Sequence, residues 1–112
     1  MSNFFPKSTK VVVIGGGVAG TSCAYHLAKF GWKDVVLLER DLLTSGTTWH
    51  AAGLLGQLGA SSTITKIRKY SLDLYKDLEK STGLSTGMKQ NGAITVASTK
   101  ERMQELLRQA TT

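Results

Sequence analysis

The segment Lys10-Val-Val-Val-Ile-Gly-Gly-Gly-Val-Ala-Gly20 joins a short run of β-branched residues to a cluster of glycines. The apolar run from Val11 to Ile14 shows no alternation with polar residues, which predicts a parallel strand buried on both faces. A helical pattern of apolar residues follows and ends at Gly31. The segment therefore predicts a strand over 10–14, a glycine turn and a helix over 18–30.

The glycines have the spacing Gly-x-Gly-x-x-Gly, which is typical of a dinucleotide-binding turn. Gly15 allows a tight turn, Gly17 leaves room for a pyrophosphate beside the backbone, and Gly20 lets the helix pack close to the sheet. The amides and the dipole at the N-terminus of the helix favour a bound phosphate. A glycine-rich turn without a ligand is the alternative interpretation.

An acidic residue supports the dinucleotide interpretation. Glu39 ends a second apolar run over 35–39, nineteen residues after Gly20. A carboxylate at the tip of this second strand can accept hydrogen bonds from both hydroxyls of a ribose, and it repels a 2′-phosphate. NADP is therefore disfavoured as a ligand.

The rest of the chain contains a loop and two further helical patterns. Apolar residues recur with a helical period over 62–80, and Gly83 follows as a stop signal. Asn91-Gly92 is typical of a turn between extended segments, and Ser98 with Glu101 fits a capping box. We therefore predict a loop to about residue 60, a helix over 62–80, short strands over 88–90 and 93–97, and a helix from Ser98.

Composition limits the class of protein. The 112 residues carry 14 Lys and Arg against 8 Asp and Glu, and the formal charge of +6 helps anionic ligands approach. The basic residues are scattered and lack interleaved aromatic residues, so we expect no nucleic-acid partner. The apolar runs have the length of strands, so we expect no membrane segment. Cys23 is the single cysteine and is expected to pack in the first helix.

The segment after Glu39, Leu42-Leu-Thr-Ser-Gly-Thr-Thr-Trp-His-Ala-Ala-Gly-Leu-Leu55, is rich in hydroxyl residues and glycine. A nicotinamide-binding fold should continue here with a helix and a strand, so this segment disfavours a nicotinamide dehydrogenase. Its hydroxyls and amides can satisfy phosphate and ribitol oxygens, and Gly46 and Gly53 permit close approach.

The same segment carries a family resemblance. The run Val-Val-Leu-Leu-Glu-Arg-x-x-Leu-Thr-Ser-Gly-Thr-Thr-Trp-His-x-Ala-Gly-Leu-Leu, over 35–55, resembles the sarcosine and dimethylglycine dehydrogenase family within the D-amino acid oxidase superfamily of flavoproteins. The resemblance continues through Lys89-Gln-Asn-Gly-Ala-Ile-Thr-Val-Ala-Ser98 to Glu101-Arg102 and so covers nearly the whole chain.

The resemblance implies an α/β fold in which 1–112 form the N-terminal part of a Rossmann-like FAD-binding domain. In this domain a βαβ unit is followed by a helix, short strands and a helix. The remainder of the domain and any C-terminal folate-binding domain would lie outside this chain. The resemblance also implies that FAD is attached covalently at His50. The chemistry is consistent with this, since a neutral imidazole is a competent nucleophile. From the residues alone, a loop histidine held by hydrogen bonds is the alternative.

The activity that the resemblance implies is oxidative demethylation of a small N-methylated amino acid. A hydride would pass to the flavin, electrons to an electron-transfer flavoprotein, and the one-carbon unit to tetrahydrofolate. No residue of this chain is assigned to catalysis, and the isolated chain is expected to be inactive. Two alternatives stay open. One is another FAD-dependent amine or amino-acid oxidase, and the other is a non-catalytic regulatory subunit, such as that of pyruvate dehydrogenase phosphatase, which Gly31-Trp-Lys-Asp34 also resembles.

The residues before the first strand have no features of a signal or transit peptide, so we expect a cytoplasmic protein. Eukaryotic members of the family are expected in the mitochondrial matrix. No metal ligand is predicted. The predicted cofactor-binding residues are Gly15, Gly17, Val18, Ala19, Gly20, Glu39, Arg40, Thr44, Ser45, Gly46, Thr47, Thr48, Trp49, His50, Ala51, Ala52, Gly53 and Leu54.

Overall fold

The computed structural model describes residues 6–111, and the chain divides into two compact units with a boundary between Gly53 and Leu54. The elements of the first unit are β1 (Val11–Ile14), α1 (Val18–Lys29), β2 (Val35–Leu38) and a 3-10 helix (Thr47–His50). β1 and β2 form a parallel two-stranded sheet in which Ile14 is the partner of Leu38. The glycine turn and Glu39 therefore follow the strands at the same edge of the sheet.

Gly20 allows α1 to pack close to the turn that precedes it. A Cβ atom at this position would overlap the carbonyl oxygen of Gly15, so any larger residue would push the helix away. At the other end, Gly31 has a φ of 89°, a conformation that glycine adopts without strain. The predicted strand–helix–strand order is confirmed, with bounds that differ by one residue at some ends.

The sheet is covered on one face only. Burial alternates along β1, and the side chains of Val12 and Ile14 are 48% and 85% exposed. The prediction that β1 is buried on both faces is therefore wrong for this chain, because α1 packs on one side of a two-stranded sheet. The prediction that Cys23 packs in α1 is also wrong, since this side chain is exposed.

The second unit contains α2 (Ser62–Thr82) and α3 (Lys100–Ala110). The hydroxyl of Ser61 caps α2 by accepting a hydrogen bond from the amide of Ile64, and α2 ends at Gly83, which has a φ of 69°. The predicted helix over 62–80 is therefore confirmed and is slightly longer. Within residues 6–111, no helix has the length and the apolar character needed to cross a membrane.

Two predictions for the second unit are wrong. Residues 88–90 and 93–97 form no strand, because they have no hydrogen-bonded partner strand in the part of the chain that the structure describes. The last helix begins at Lys100, and its cap is Thr99 where the capping box predicted Ser98. Oγ1 of Thr99 lies 3.2 Å from the amide nitrogen of Arg102, which donates the capping hydrogen bond.

Candidate cofactor-binding site

The glycine turn connects β1 to the N-terminus of α1. Gly15 has a φ of 105°, and its amide donates to the carbonyl oxygen of Leu38 at 2.8 Å, which continues the sheet by one hydrogen bond. Gly16 is buried, and Gly17 is the extended residue that precedes the first turn of α1. The turn therefore places the first amides of α1 at the carboxyl edge of the sheet, where ligands bind in open α/β folds.

Glu39 forms hydrogen bonds with three backbone amides. Its Oε2 atom accepts from Gly16 at 2.6 Å, and its Oε1 atom accepts from Arg40 at 2.7 Å and from Asp41 at 3.1 Å. These donors, the Gly16 amide first, lower the pKa of the Glu39 carboxyl. A carboxylate has about four acceptor positions, so one position remains for a ribose hydroxyl, where the sequence predicted two hydrogen bonds.

The segment after β2 folds back onto the glycine turn. The amide of Thr44 donates to the carbonyl oxygen of Gly16 at 3.0 Å, and Thr44 itself has a φ of 68°, which is rare for a residue other than glycine. Further along, Oγ1 of Thr48 accepts a hydrogen bond of 2.9 Å from the amide of Val18. Residues separated by about thirty positions in sequence are thus joined at the start of α1.

A cavity of about 430 Å³ opens where these elements meet, within the usual range for small-molecule sites. Three lining residues, Ile14, Leu38 and Asp41, were missed by the sequence analysis. Ile14 and Leu38 end paired strands, so the rule that ligands bind at the carboxyl edge could have found them. No sequence signal pointed to Asp41. The predicted residues that line the cavity are Gly15, Gly17, Glu39, Arg40, Ser45, Gly46, Thr47 and Thr48.

The other predicted residues do not line this cavity. Val18, Ala19 and Gly20 form the first turn of α1, and Thr44 lies beside Gly16. Ala51, Ala52 and Gly53 are exposed, and Leu54 belongs to the second unit.

Trp49 and His50 end the 3-10 helix, which the predicted loop did not include. Both side chains are exposed, and their ring centroids lie 4.3 Å apart. Nδ1 of His50 lies 3.1 Å from the carbonyl oxygen of Gly46. Because a carbonyl oxygen only accepts hydrogen bonds, Nδ1 is the donor in this contact, and in the neutral ring Nε2 then has the lone pair.

The arrangement fits a dinucleotide. The glycine turn, Glu39 and Arg40 line the same cavity at the N-terminus of α1, where the helix dipole favours a pyrophosphate. Oγ1 of Thr48 already holds the Val18 amide and lies 2.9 Å from the Cβ position of Gly17, so it takes part of the space beside that glycine. Within residues 6–111, no group of His, Cys, Asp and Glu side chains is arranged to hold a metal ion.

Several curated proteins are similar to this chain. The 4-methylaminobutanoate oxidase (formaldehyde-forming) of Paenarthrobacter nicotinovorans is 46% identical over 102 residues, which are 91% of this chain and 12% of that protein. Mitochondrial sarcosine dehydrogenase of Mus musculus is 49% identical over 104 residues, 92% of this chain and 11% of the enzyme. The mitochondrial regulatory subunit of pyruvate dehydrogenase phosphatase of Mus musculus is 46% identical over 103 residues, 92% of this chain and 12% of that subunit.

A solved structure agrees with the fold. Glycine oxidase from Bacillus cereus superposes with a TM-score of 0.66 and 30% identity, over 93% of this chain and 30% of that enzyme. In contrast, the chain spans only about 11–12% of the length of the three curated relatives described in the preceding paragraph. The family described as FAD dependent oxidoreductase matches residues 10–112, and this chain belongs to that family.

Proposed function

We propose that this chain is the N-terminal part of an FAD-binding domain whose enzyme demethylates a small N-methylated amino acid of the sarcosine or dimethylglycine type. The observation that carries the proposal is the cavity shared by the glycine turn, Glu39 and the hydroxyl residues Ser45, Thr47 and Thr48. Two relatives, 4-methylaminobutanoate oxidase and sarcosine dehydrogenase, are named for N-methylated substrates, which supports this substrate class. The chemistry would be transfer of a hydride from the N-methyl carbon to the flavin.

Within the cavity, each part of FAD has a chemical partner. The pyrophosphate would lie over Gly15 and Gly17 against the amides of α1, and the adenosine ribose would donate one hydrogen bond to Glu39. Ser45 and Thr47 line the cavity, and their hydroxyls could bind further oxygens of the cofactor.

His50 is proposed as the site of covalent attachment. Its Nε2 atom has the free lone pair, and its ring is exposed at the end of the 3-10 helix. The reaction would form a bond between Nε2 and the 8α carbon of the flavin and release one proton from each partner. The two electrons left on the ring would pass to dioxygen, which with the two protons gives hydrogen peroxide.

Other parts of the proposal concern the whole protein. An electron-transfer flavoprotein would accept electrons from the reduced flavin, and tetrahydrofolate would accept the one-carbon unit in a domain beyond residues 1–112. The cytoplasmic location stays a prediction.

A non-catalytic regulatory subunit is the second candidate, and the similarity to the phosphatase subunit favours it. The two candidates differ in one measurable property. In the full-length protein, the demethylase proposal expects a flavin spectrum that sarcosine or dimethylglycine bleaches under anaerobic conditions, with formaldehyde as a product. A flavin that neither compound reduces would contradict the demethylase and would fit either the regulatory subunit or another FAD-dependent amine oxidase, and a full-length protein without flavin would support the regulatory subunit. Rapid reoxidation by dioxygen, faster than by an artificial electron acceptor, would identify the enzyme as an oxidase.

A further inference from the structure

Thr48 connects the segment after β2 to the start of α1. Its Oγ1 atom accepts the hydrogen bond of Val18, an amide that has no partner inside the helix. A Cβ atom added to Gly17 would lie 2.9 Å from this oxygen, so the hydroxyl occupies space that only glycine leaves. Thr48 is half-buried, whereas Thr47, Trp49 and His50 around it are exposed.

The contact with Val18 constrains the whole 3-10 helix. Thr48 also accepts at its carbonyl oxygen from the amide of Ala51 at 3.2 Å, and the helix contains a single turn from Thr47 to His50. His50 is only two residues from the anchored side chain, and its Nδ1 atom is held by Gly46. A helix this short has no stability of its own, so its position depends on such contacts.

We propose that Thr48 is a positioning residue that holds the 3-10 helix against the glycine turn and thereby orients His50 before the cofactor is attached. This inference rests on the proposed function, in which His50 is the residue that attaches the flavin. It adds that the hydroxyl of Thr48, through its hydrogen bond with the Val18 amide, controls the rate of attachment by reducing the freedom of the nucleophile. The hydroxyl hydrogen of Thr48 is not donated to any described residue, so anchoring requires only its lone pair.

The test uses the full-length protein, produced without flavin in a riboflavin-deficient host and then mixed with FAD. Thr48→Ala removes the hydroxyl, and Thr48→Ser keeps it. Thr63→Ala is the matched control, because Thr63 is an exposed residue of α2, outside the cavity. Three quantities are measured: amide hydrogen exchange at Val18 in the flavin-free protein, the dissociation constant of noncovalent FAD, and the rate at which flavin becomes resistant to acid release.

We expect Thr48→Ala to raise exchange at Val18 and, at saturating FAD, to slow attachment at least about tenfold, a larger factor than any rise in the dissociation constant of noncovalent FAD. Thr48→Ser and Thr63→Ala should match the wild type in all three. Unchanged exchange at Val18 in Thr48→Ala would overturn the anchor. An equal loss of attachment and of noncovalent binding would also overturn it, because Thr48 would then act as a general binding residue.

Failure of the His50 proposal is distinguishable from failure of the anchor. If the wild-type protein never forms an acid-stable flavin, His50 is not an attachment site. Amide exchange at Val18 still tests the hydrogen bond between Thr48 and Val18 in that case, since it is measured without flavin. If Thr48→Ala does not fold, Thr48→Val is used in its place, because its γ-methyl fills the space without accepting a hydrogen bond.

Discussion

The carboxylate of Glu39 accepts a hydrogen bond of 2.6 Å from the amide of Gly16, which ties the end of β2 to the glycine turn that follows β1. The residue predicted to bind the ribose therefore also holds the backbone that would carry the pyrophosphate. Loss of the Glu39 charge should weaken both parts of the site at once.

The first prediction is a pH dependence of flavin binding. The amide of Gly16 and the other backbone donors lower the pKa of Glu39 below its ordinary value of 4.5. For a lowered pKa, the stabilisation is fully present above the ordinary value and is lost as the pH falls through the lowered one. Noncovalent retention of FAD in a His50→Ala background should therefore persist at pH 4.5 and decline below it, as measured by gel filtration.

Glu39→Gln is the control for this titration. An amide at this position does not ionise, so retention should be weaker by about tenfold or more and should lose the pH step assigned to Glu39. A step of the same size in both proteins would show that another group titrates.

The second prediction concerns the space at Gly17. In Gly17→Val, the new side chain would meet Oγ1 of Thr48 and occupy the path of the pyrophosphate, so the purified protein should retain less than about a tenth of the wild-type flavin. Gly56→Val is the control, because a Cβ at Gly56 meets open space. A full flavin spectrum in Gly17→Val would contradict the phosphate-binding assignment.

The sequence predicted the local parts of this site well and the contacts between distant parts poorly. Glycine spacing depends on backbone sterics, so Gly15 and Gly20 have the predicted tasks. The hydrogen bond between Thr48 and Val18 depends on how the segment after β2 folds back onto residues thirty positions earlier. No periodic pattern in the sequence predicts such a contact. Local signals also failed at the start of α3, where either Ser98 or Thr99 could cap the helix and the structure uses Thr99.

The third prediction separates those two capping residues. Thr99→Ala should lower the free energy of unfolding by about 1 kcal/mol, because the amide of Arg102 loses its acceptor. Ser98→Ala should change it by less than about 0.5 kcal/mol. Urea unfolding of the full-length protein carrying either variant, followed by circular dichroism, measures the difference, and equal effects would contradict Thr99 as the cap.

The fourth prediction concerns the 112 residues expressed alone. No hydrophobic side chain is fully buried among residues 6–111, and Ile94 and Val96 are 95% and 82% exposed. So little burial cannot offset the conformational entropy of folding. Thermal denaturation should therefore show no cooperative transition, and the chain should not turn over sarcosine. A sharp transition together with measurable turnover would contradict this expectation.

The last prediction concerns the covalent bond at His50. Imidazole is the only side chain of residues 40–55 that is a good nitrogen nucleophile at neutral pH, and its Nδ1 atom is held by Gly46 while Nε2 is free. Acid precipitation of the full-length holoprotein should leave FAD on the polypeptide. Mass spectrometry of the tryptic peptide that contains His50 should show the flavin adduct on that residue.

His50→Ala should release its flavin on denaturation and keep noncovalent binding, because Glu39 and the glycine turn are unchanged. His26→Ala is the matched control, since His26 lies within α1 and its Nδ1 atom contacts the carbonyl oxygen of Ser22 at 2.7 Å. This variant should keep the acid-stable flavin. Complete release of FAD from the wild-type protein under the same conditions would show that His50 is an ordinary loop histidine. The alternative of another FAD-dependent amine oxidase would then be supported as well as the sarcosine or dimethylglycine type.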